Sequence, residues 1–203
     1  MAFLIYAAAY LIGSIPTALI VGRMTHSIDI RDHGSNNPGA TNTLRVLGKR
    51  AAIIVLLIDL GKGALAAYLP ELLNTDLDPI LVGLVAVIGH CFPVFAGFRG
   101  GKAIATTAGV LLVTNPVLFF ITYIAFFVVI FISKYVFFGS ISVGLSLFIF
   151  SILSHEIKHE VIFFLFILFL IYLHRSNIHN FISKKEPKIN DKSLKSDRIS
   201  RKI

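Results

Sequence analysis

AFLIYAAAYLIGSIPTALIVG, residues 2–22, carries no charged side chain. A transmembrane helix needs about 20 mainly apolar residues to cross the hydrocarbon core, and this run has that length. Gly13, Ser14 and Pro16 interrupt it where small residues let a neighbouring helix come close. Arg23 follows the run instead of preceding it, which argues for an uncleaved first span with its N-terminus outside, not a signal peptide. The expected fold class is therefore all-α, a polytopic membrane helix bundle.

Composition agrees. The chain has 203 residues, 56% hydrophobic and 15% charged, with mean hydropathy +0.81. Soluble domains use roughly 45–50% apolar residues. We expect one membrane domain, residues 1–182, and a disordered basic tail, residues 183–203. The tail supplies +5 of the net +8, so the charge does not mark a nucleic-acid-binding core and suits contact with solvent or anionic lipid. Cys91 is the single cysteine, which excludes an intrachain disulfide and reads as a small buried hydrophobe.

Further apolar runs follow near 51–69, 79–97, 103–114, 116–132, 136–153 and 161–173, giving seven membrane elements. Asn115-Pro116 breaks what is otherwise too long for one span. Arg23, Arg31, Arg45, Lys49 and Arg50 fall between the first two runs, whereas Glu71, Asp76 and Asp78 follow the second with no base. The positive-inside rule then sets the C-terminus in the cytoplasm, and of the 19 basic residues only Lys62 and Lys158 escape the cytoplasmic side. No internal repeat is evident, which weakens an inverted-repeat transporter reading.

This topology sets four polar clusters on one membrane face. The first is GSNNPGATNTLRVLGK, residues 34–49, with Gly34, Ser35, Asn36, Asn37, Thr41, Asn42 and Arg45. Pro38 suits a helix start and Gly48 a helix end, so a helix of about ten residues is expected, its start able to hold an anion. The second is Gly100-Gly101-Lys102, where backbone N–H groups and an ammonium meet at a helix start, an arrangement that suits phosphate. It is no Walker A loop: Ala96 and Ala103 replace the glycine and the hydroxyl residue. Gly139-Ser140-Ile141-Ser142 and His174-Arg175-Ser176-Asn177 complete the set, with His174 and Asn177 on one helical face.

Asp59 and Lys62 interrupt the second span three residues apart and are expected to pair, since ionisable groups in the bilayer need burial and partners. His155-Glu156-Ile157-Lys158-His159 matches the HExxH zinc pattern. It sits in a short polar connector without a nearby third ligand, so no metal is assigned.

Taken together these motifs resemble the bacterial acyl-phosphate:glycerol-3-phosphate acyltransferases, the PlsY family. The likeness runs from residue 10 to about 188, through GSIP (13–16) with Gly22-Arg23, GSNNPGATNTLRVLGK, DLGKG (59–63), GHCFPVFAGFRGGKAIAT (89–106) and HRSNI (174–178) with Glu186-Pro187. Ala103 stands where the family has glycine, Phe137 where it commonly has serine, and the tail is longer and more basic.

The resemblance implies a multi-pass protein of the bacterial cytoplasmic (inner) membrane with its active site facing the cytoplasm. It implies transfer of a fatty acyl group from acyl phosphate to the 1-hydroxyl of glycerol 3-phosphate, giving lysophosphatidate and phosphate, the first step of phospholipid synthesis. Substrates and membrane lipid are the expected partners, no cofactor is needed, and the oligomeric state stays open, a monomer included. Ser35, Arg45, His174 and Asn177 take the catalytic places, the last two orienting the acceptor. Gly34, Asn37, Thr41, Asn42, Gly100, Gly101, Lys102 and Ser140 take substrate-binding places. Phosphate is a good leaving group, so positioning and charge stabilisation suffice without a covalent nucleophile. The base is either His174 or the donor's own phosphate. The alternatives weighed are a membrane anion or phosphate transporter and an acyl-CoA acyltransferase. The His-x4-Asp signature of the latter is absent at all seven histidines.

Overall fold

The computed structural model describes residues 1–154 and 157–199. Its described residues contain helices and no strand. They are α1 (Ala2–Gly13), α2 (Thr17–His26), α3 (Ala40–Val46), α4 (Lys49–Leu72), α5 (Pro79–Cys91), α6 (Ile104–Thr114), α7 (Pro116–Ser133), α8 (Val136–Leu153), α9 (Ile157–Leu173) and α10 (Arg175–Ile182).

Five stretches are long and apolar enough to cross a bilayer: Ala2–His26, α4, Pro79–Ala96, α7 and α8. A sixth is the pair His159–Leu173 and Arg175–Ile182, bent by 57°, and α6 is apolar but only 11 residues long. All seven expected apolar runs are thus helical. Several boundaries move. The first span is two helices, because Pro16 has no N–H to continue the ladder and the chain turns through Ser14–Pro16. The helix expected over 38–48 occupies Ala40–Val46 only: the chain before it is extended at Gly39, and Pro38 precedes the helix instead of opening it. Gly48 does end that segment, at φ +93°, a conformation that residues with a Cβ rarely adopt. Part of the expected polar connector 154–160 is helical, since α9 begins at Ile157.

The described residues form two compact units. The first holds Met1–Thr114 and the described part of Lys192–Ile203. In it α1 packs on α5, and α4 packs on both α5 and α6. Small residues allow the close crossings: a Cβ on Gly13 would stand 2.0 Å from the Ala86 carbonyl oxygen, and one on Gly63 2.0 Å from that of Thr106. One apolar cluster gathers Ile5, Ala9, Ala66, Val82 and Ala86, and a second Ala18, Leu19, Ile30, Val46 and Val55. The described part of the tail lies against this unit. Lys192–Asp197 form a 3-10 helix, and Ile199 packs on the second cluster, an apolar anchor that the overall basic composition obscured.

The second unit, Asn115–Asp191, packs α8 between α7 and α9. The Asn115 side chain caps α7 by accepting from the Leu118 N–H at 2.9 Å. Phe137, in the family's serine position, is buried with its ring 5.6 Å from Phe181, beside Tyr135 and Phe138. The exposed side of α7 carries Phe120, Phe127, Phe131 and Ile132, which suits a lipid surrounding.

Buried charge organises the first unit. Asp59 and Lys62 pair at 2.8 Å, both nearly inaccessible. Thr17 Oγ1 donates to Asp59 at 2.9 Å, and Lys62 Nζ also donates to the Ile15 carbonyl at 3.1 Å, which the break before α2 leaves outside a helical ladder. Removing one partner of a buried pair typically costs about 3–5 kcal/mol, because the other charge stays behind unpaired. We therefore expect Lys62→Met to lower the thermal midpoint of the detergent-purified protein strongly, and Asp59→Leu/Lys62→Met to recover much of the loss. Equal midpoints for the single and double variants would contradict the pairing as the source of the effect.

Candidate active site

The polar loop between α2 and α3 is shaped by one side chain. Asn42 is buried; its Oδ1 accepts from the Ser35 N–H at 2.8 Å, and its Nδ2 donates to the carbonyls of His33 at 3.0 Å and Ile30 at 3.3 Å. Gly34, at φ +61°, lies so near that a Cβ there would stand 2.3 Å from Asn42 Oδ1. Asn42 and Gly34 thus shape the loop, and Ser35 and Thr41 stand exposed on it, with Asn37 half-buried. Arg45 is half-buried on α3 and ion-paired with Asp197 of the tail. α3 is only seven residues long, and Arg45 is the basic residue of its last turn.

At the loop's entrance Asp29 accepts from the Arg31 N–H at 3.0 Å and from Arg31 Nη2 at 2.7 Å. Arg31 Nη1 donates to the Ala96 carbonyl at 2.8 Å, fastening this loop to the next one. Arg23, Arg31 and Arg99 line an open cleft with Leu19, Ile20 and Phe95, so guanidinium groups and apolar walls face the same space.

In the second loop the Gly100 N–H donates to the Cys91 carbonyl and the Gly101 N–H to that of His90, each at 3.1 Å. These N–H groups are engaged with backbone, which corrects the expectation that they cradle phosphate. What the glycines supply is close approach. A Cβ on Gly100 would stand 2.0 Å from the His90 carbonyl oxygen, and one on Gly101 2.3 Å from the His90 ring. His90 Nδ1 in turn lies 3.6 Å from Asp59, so the loop rests on the buried charge network. Lys102 follows, half-buried, immediately before Ala103 and α6.

The second unit carries the other assigned residues. Ser140 is buried in α8 and its hydroxyl donates to the Val136 carbonyl at 3.2 Å. His174 is buried at the α9–α10 bend, its Nδ1 2.9 Å from the Leu170 carbonyl. A carbonyl only accepts, so Nδ1 carries the proton and Nε2 is the basic nitrogen of the neutral ring. Asn177 Nδ2 donates to Glu186 Oε1 at 2.6 Å. His155 and Glu156 of the HExxH match lie outside the described residues. Among the described residues no group of three His, Cys, Asp or Glu side chains is placed to hold a metal ion.

Residues 3–184 match the glycerol-3-phosphate acyltransferase family. The chain belongs to this family. Glycerol-3-phosphate acyltransferase of Bacillus subtilis (strain 168) is 46% identical over 186 residues, 92% of this chain and 96% of that one. The protein of the same name from Bacillus velezensis is 48% identical over 186 residues, with the same shares covered. Among solved structures, PlsY, an integral membrane glycerol 3-phosphate acyltransferase, matches in its glycerol 3-phosphate form with TM-score 0.82 and 30% identity. Its lysophosphatidic acid form matches with TM-score 0.81; each alignment covers 92% of this chain and 94% of PlsY.

The chain is therefore an acyltransferase, a multi-pass membrane protein of the glycerol-3-phosphate acyltransferase family, and the transporter alternative falls. Two partners of its assigned residues were not foreseen. Glu186 enters the sequence reading only as part of a motif, and its bond to Asn177 comes from the structure. Asp197, 152 positions from Arg45, left no local signal at all.

Arg31 holds the Asp29 carboxyl at about 2, against an ordinary 3.8. A carboxyl depressed in the folded state adds stability that is full above the ordinary value and is lost as pH falls through the folded one. The stability difference between wild type and Asp29→Asn should stay constant above pH 3.8 and shrink as pH drops towards 2. Unfolding followed across that range checks this; a difference that changes between pH 5 and 8 would contradict it.

Proposed function

We propose that this acyltransferase moves a fatty acyl group from acyl phosphate to the 1-hydroxyl of glycerol 3-phosphate, giving lysophosphatidate and inorganic phosphate. The observation that carries the reading is the match over 92% of the chain to PlsY in both its glycerol 3-phosphate and its lysophosphatidic acid forms, the acceptor and the product of such a transfer. The hydroxyl oxygen attacks the acyl carbonyl carbon, the carbon–oxygen bond to phosphate breaks, and phosphate leaves with the electron pair. Arg45, Lys102 and Ser35 hold phosphate oxygens, since guanidinium and ammonium groups make charge-assisted bonds to them. Asn37, Thr41 and Ser140 add hydroxyl and amide contacts. Asn42, Gly34, Gly100 and Gly101 act by fixing the loops that present these groups.

His174 and Asn177 orient the acceptor. Glu186 fixes the Asn177 amide, and the Leu170 carbonyl fixes the His174 ring so that Nε2 is the nitrogen able to accept a proton. The donor phosphate is the competing acceptor for the same proton. The distribution of basic residues supports an outside N-terminus, a cytoplasmic C-terminus and motif loops facing the cytoplasm of a bacterial inner membrane.

Purified protein should release phosphate from acyl phosphate only when glycerol 3-phosphate is present, and should form no lysophosphatidate from acyl-CoA. Product from neither donor would sink the proposal, and product from acyl-CoA alone would replace the donor. A second measurement settles the base. If His174 takes the proton, the residual activity of His174→Asn should lose the near-neutral limb of the pH–rate profile; if the limb persists, the donor phosphate is the base.

A further inference from the structure

Residues 192–199 lie beyond the family match, which stops at residue 184, and the proposed chemistry gives them no task. They are nonetheless seated on α3, the helix that carries Arg45. The Asp197 carboxylate accepts a hydrogen bond from Arg45 Nε and forms an ion pair with it. The Ile199 N–H donates to the Val46 carbonyl at 3.0 Å, and its side chain, like those of Ile28 and Ala40, packs against the apolar cluster beneath. Arg198 donates from Nη1 to the Leu44 carbonyl at 3.3 Å and lies over Gly48, where a Cβ would meet its guanidinium at 1.7 Å. Leu44 and Val46 are in the last turn of α3, whose carbonyls have no intrahelical donor. The tail supplies those donors, and a cation at that end suits the helix dipole. Backbone, apolar and charged contacts therefore agree on a single seating, one that ends with a carboxylate on Arg45.

We propose that segment 192–199 is a tethered competitor of substrate, its Asp197 carboxylate occupying Arg45 until a substrate phosphate displaces it. This rests on the assignment of Arg45 to a substrate phosphate. Carboxylate and phosphate make the same kind of bond to a guanidinium, so one can stand in for the other. A short tether holds its group at an effective concentration in the millimolar range. A phosphate monoester carries about −1.5 to −2 at neutral pH against the carboxylate's single charge, so substrate wins once it is plentiful. The device thus raises KM for one substrate and leaves kcat alone.

The test is steady-state kinetics on the full chain, with acyl phosphate and glycerol 3-phosphate varied in turn. Asp197→Asn removes the competing charge, and Ile199→Asp undocks the segment while leaving Asp197 in place. Each should lower KM about threefold for one substrate, the one whose phosphate Arg45 holds, as expected for a partly exposed ion pair. The other KM and kcat should not change. In an Arg45→Ala background neither tail variant should have any effect. Unchanged KM values in both tail variants, with Arg45→Ala raising a KM, would overturn the competitor while leaving the role of Arg45 standing. Arg45→Ala with both KM values unaltered would overturn the assignment of Arg45 and the competitor with it. A fall in kcat in both tail variants would likewise overturn it, marking the contact as structural support.

Discussion

An ionised group in the hydrocarbon layer survives only where other groups replace the water it has lost, and the Asp59–Lys62 pair is placed so that each replacement also fixes a neighbour. Lys62 donates to the Ile15 carbonyl at the break between α1 and α2, beside the Thr17 N–H that the same carbonyl accepts at 3.0 Å. Thr17, the first residue after that break, donates to Asp59. His90 borders the same carboxylate and its backbone carbonyl receives the Gly101 N–H. The first helix pair, the second span and the glycine-rich loop are thereby tied to one pair of charges. Such a pair adds little net stability compared with apolar side chains of the same volume. Its value here lies in register: an apolar substitute would give the Thr17 hydroxyl no carboxylate and the Ile15 carbonyl only the Thr17 N–H that it already accepts at 3.0 Å.

From that anchor the polar loops are built by saturating their own backbone. Asn42 closes one loop through three hydrogen bonds and leaves Ser35 exposed at its edge. Arg31 joins it to the next loop through the Ala96 carbonyl and is itself held by Asp29. A site that binds charged substrates gains from this arrangement, because groups already fixed need not be ordered when substrate arrives. Residues that look like ligands by type divide accordingly: Asn42, Gly100 and Gly101 fix the frame, whereas Ser35 stands exposed on it.

The membrane fold was legible because its signal is local and long. Runs such as 51–69 and 116–132 need no knowledge of their neighbours to be read as helices, and the Asp59–Lys62 pair followed from spacing within one helix. The reaction class was legible through motifs that occur in one order over most of the chain. What escaped was whatever depends on distance in sequence. Nothing near Asn42 says that its amide is spent on Ile30, His33 and Ser35, and the glycines of Gly100-Gly101-Lys102 look the same whether they cradle an anion or slide beneath His90. The contacts of the tail are illegible for a related reason. Net charge is a property of the whole segment, whereas docking needs only Asp197 and Ile199 in the right register.

Ala103 shows how a departure from a family pattern can be absorbed. It stands where the resemblance leads one to expect glycine, and its backbone is one that suits glycine, at φ +59°. A residue with a Cβ in the left-handed region costs roughly 1–2 kcal/mol. Against this, alanine narrows the unfolded ensemble, which is worth about 0.4–1 kcal/mol relative to glycine. Ala103 is also 2% exposed, and burying its methyl group contributes about 0.8 kcal/mol. The opposing contributions cancel to within about 1 kcal/mol, so the loop keeps the glycine conformation without glycine. A β-branched residue would not balance in this way, because its second branch adds to the clash while the space around the methyl is already filled. Alanine suits the position because its side chain is the smallest that carries a Cβ.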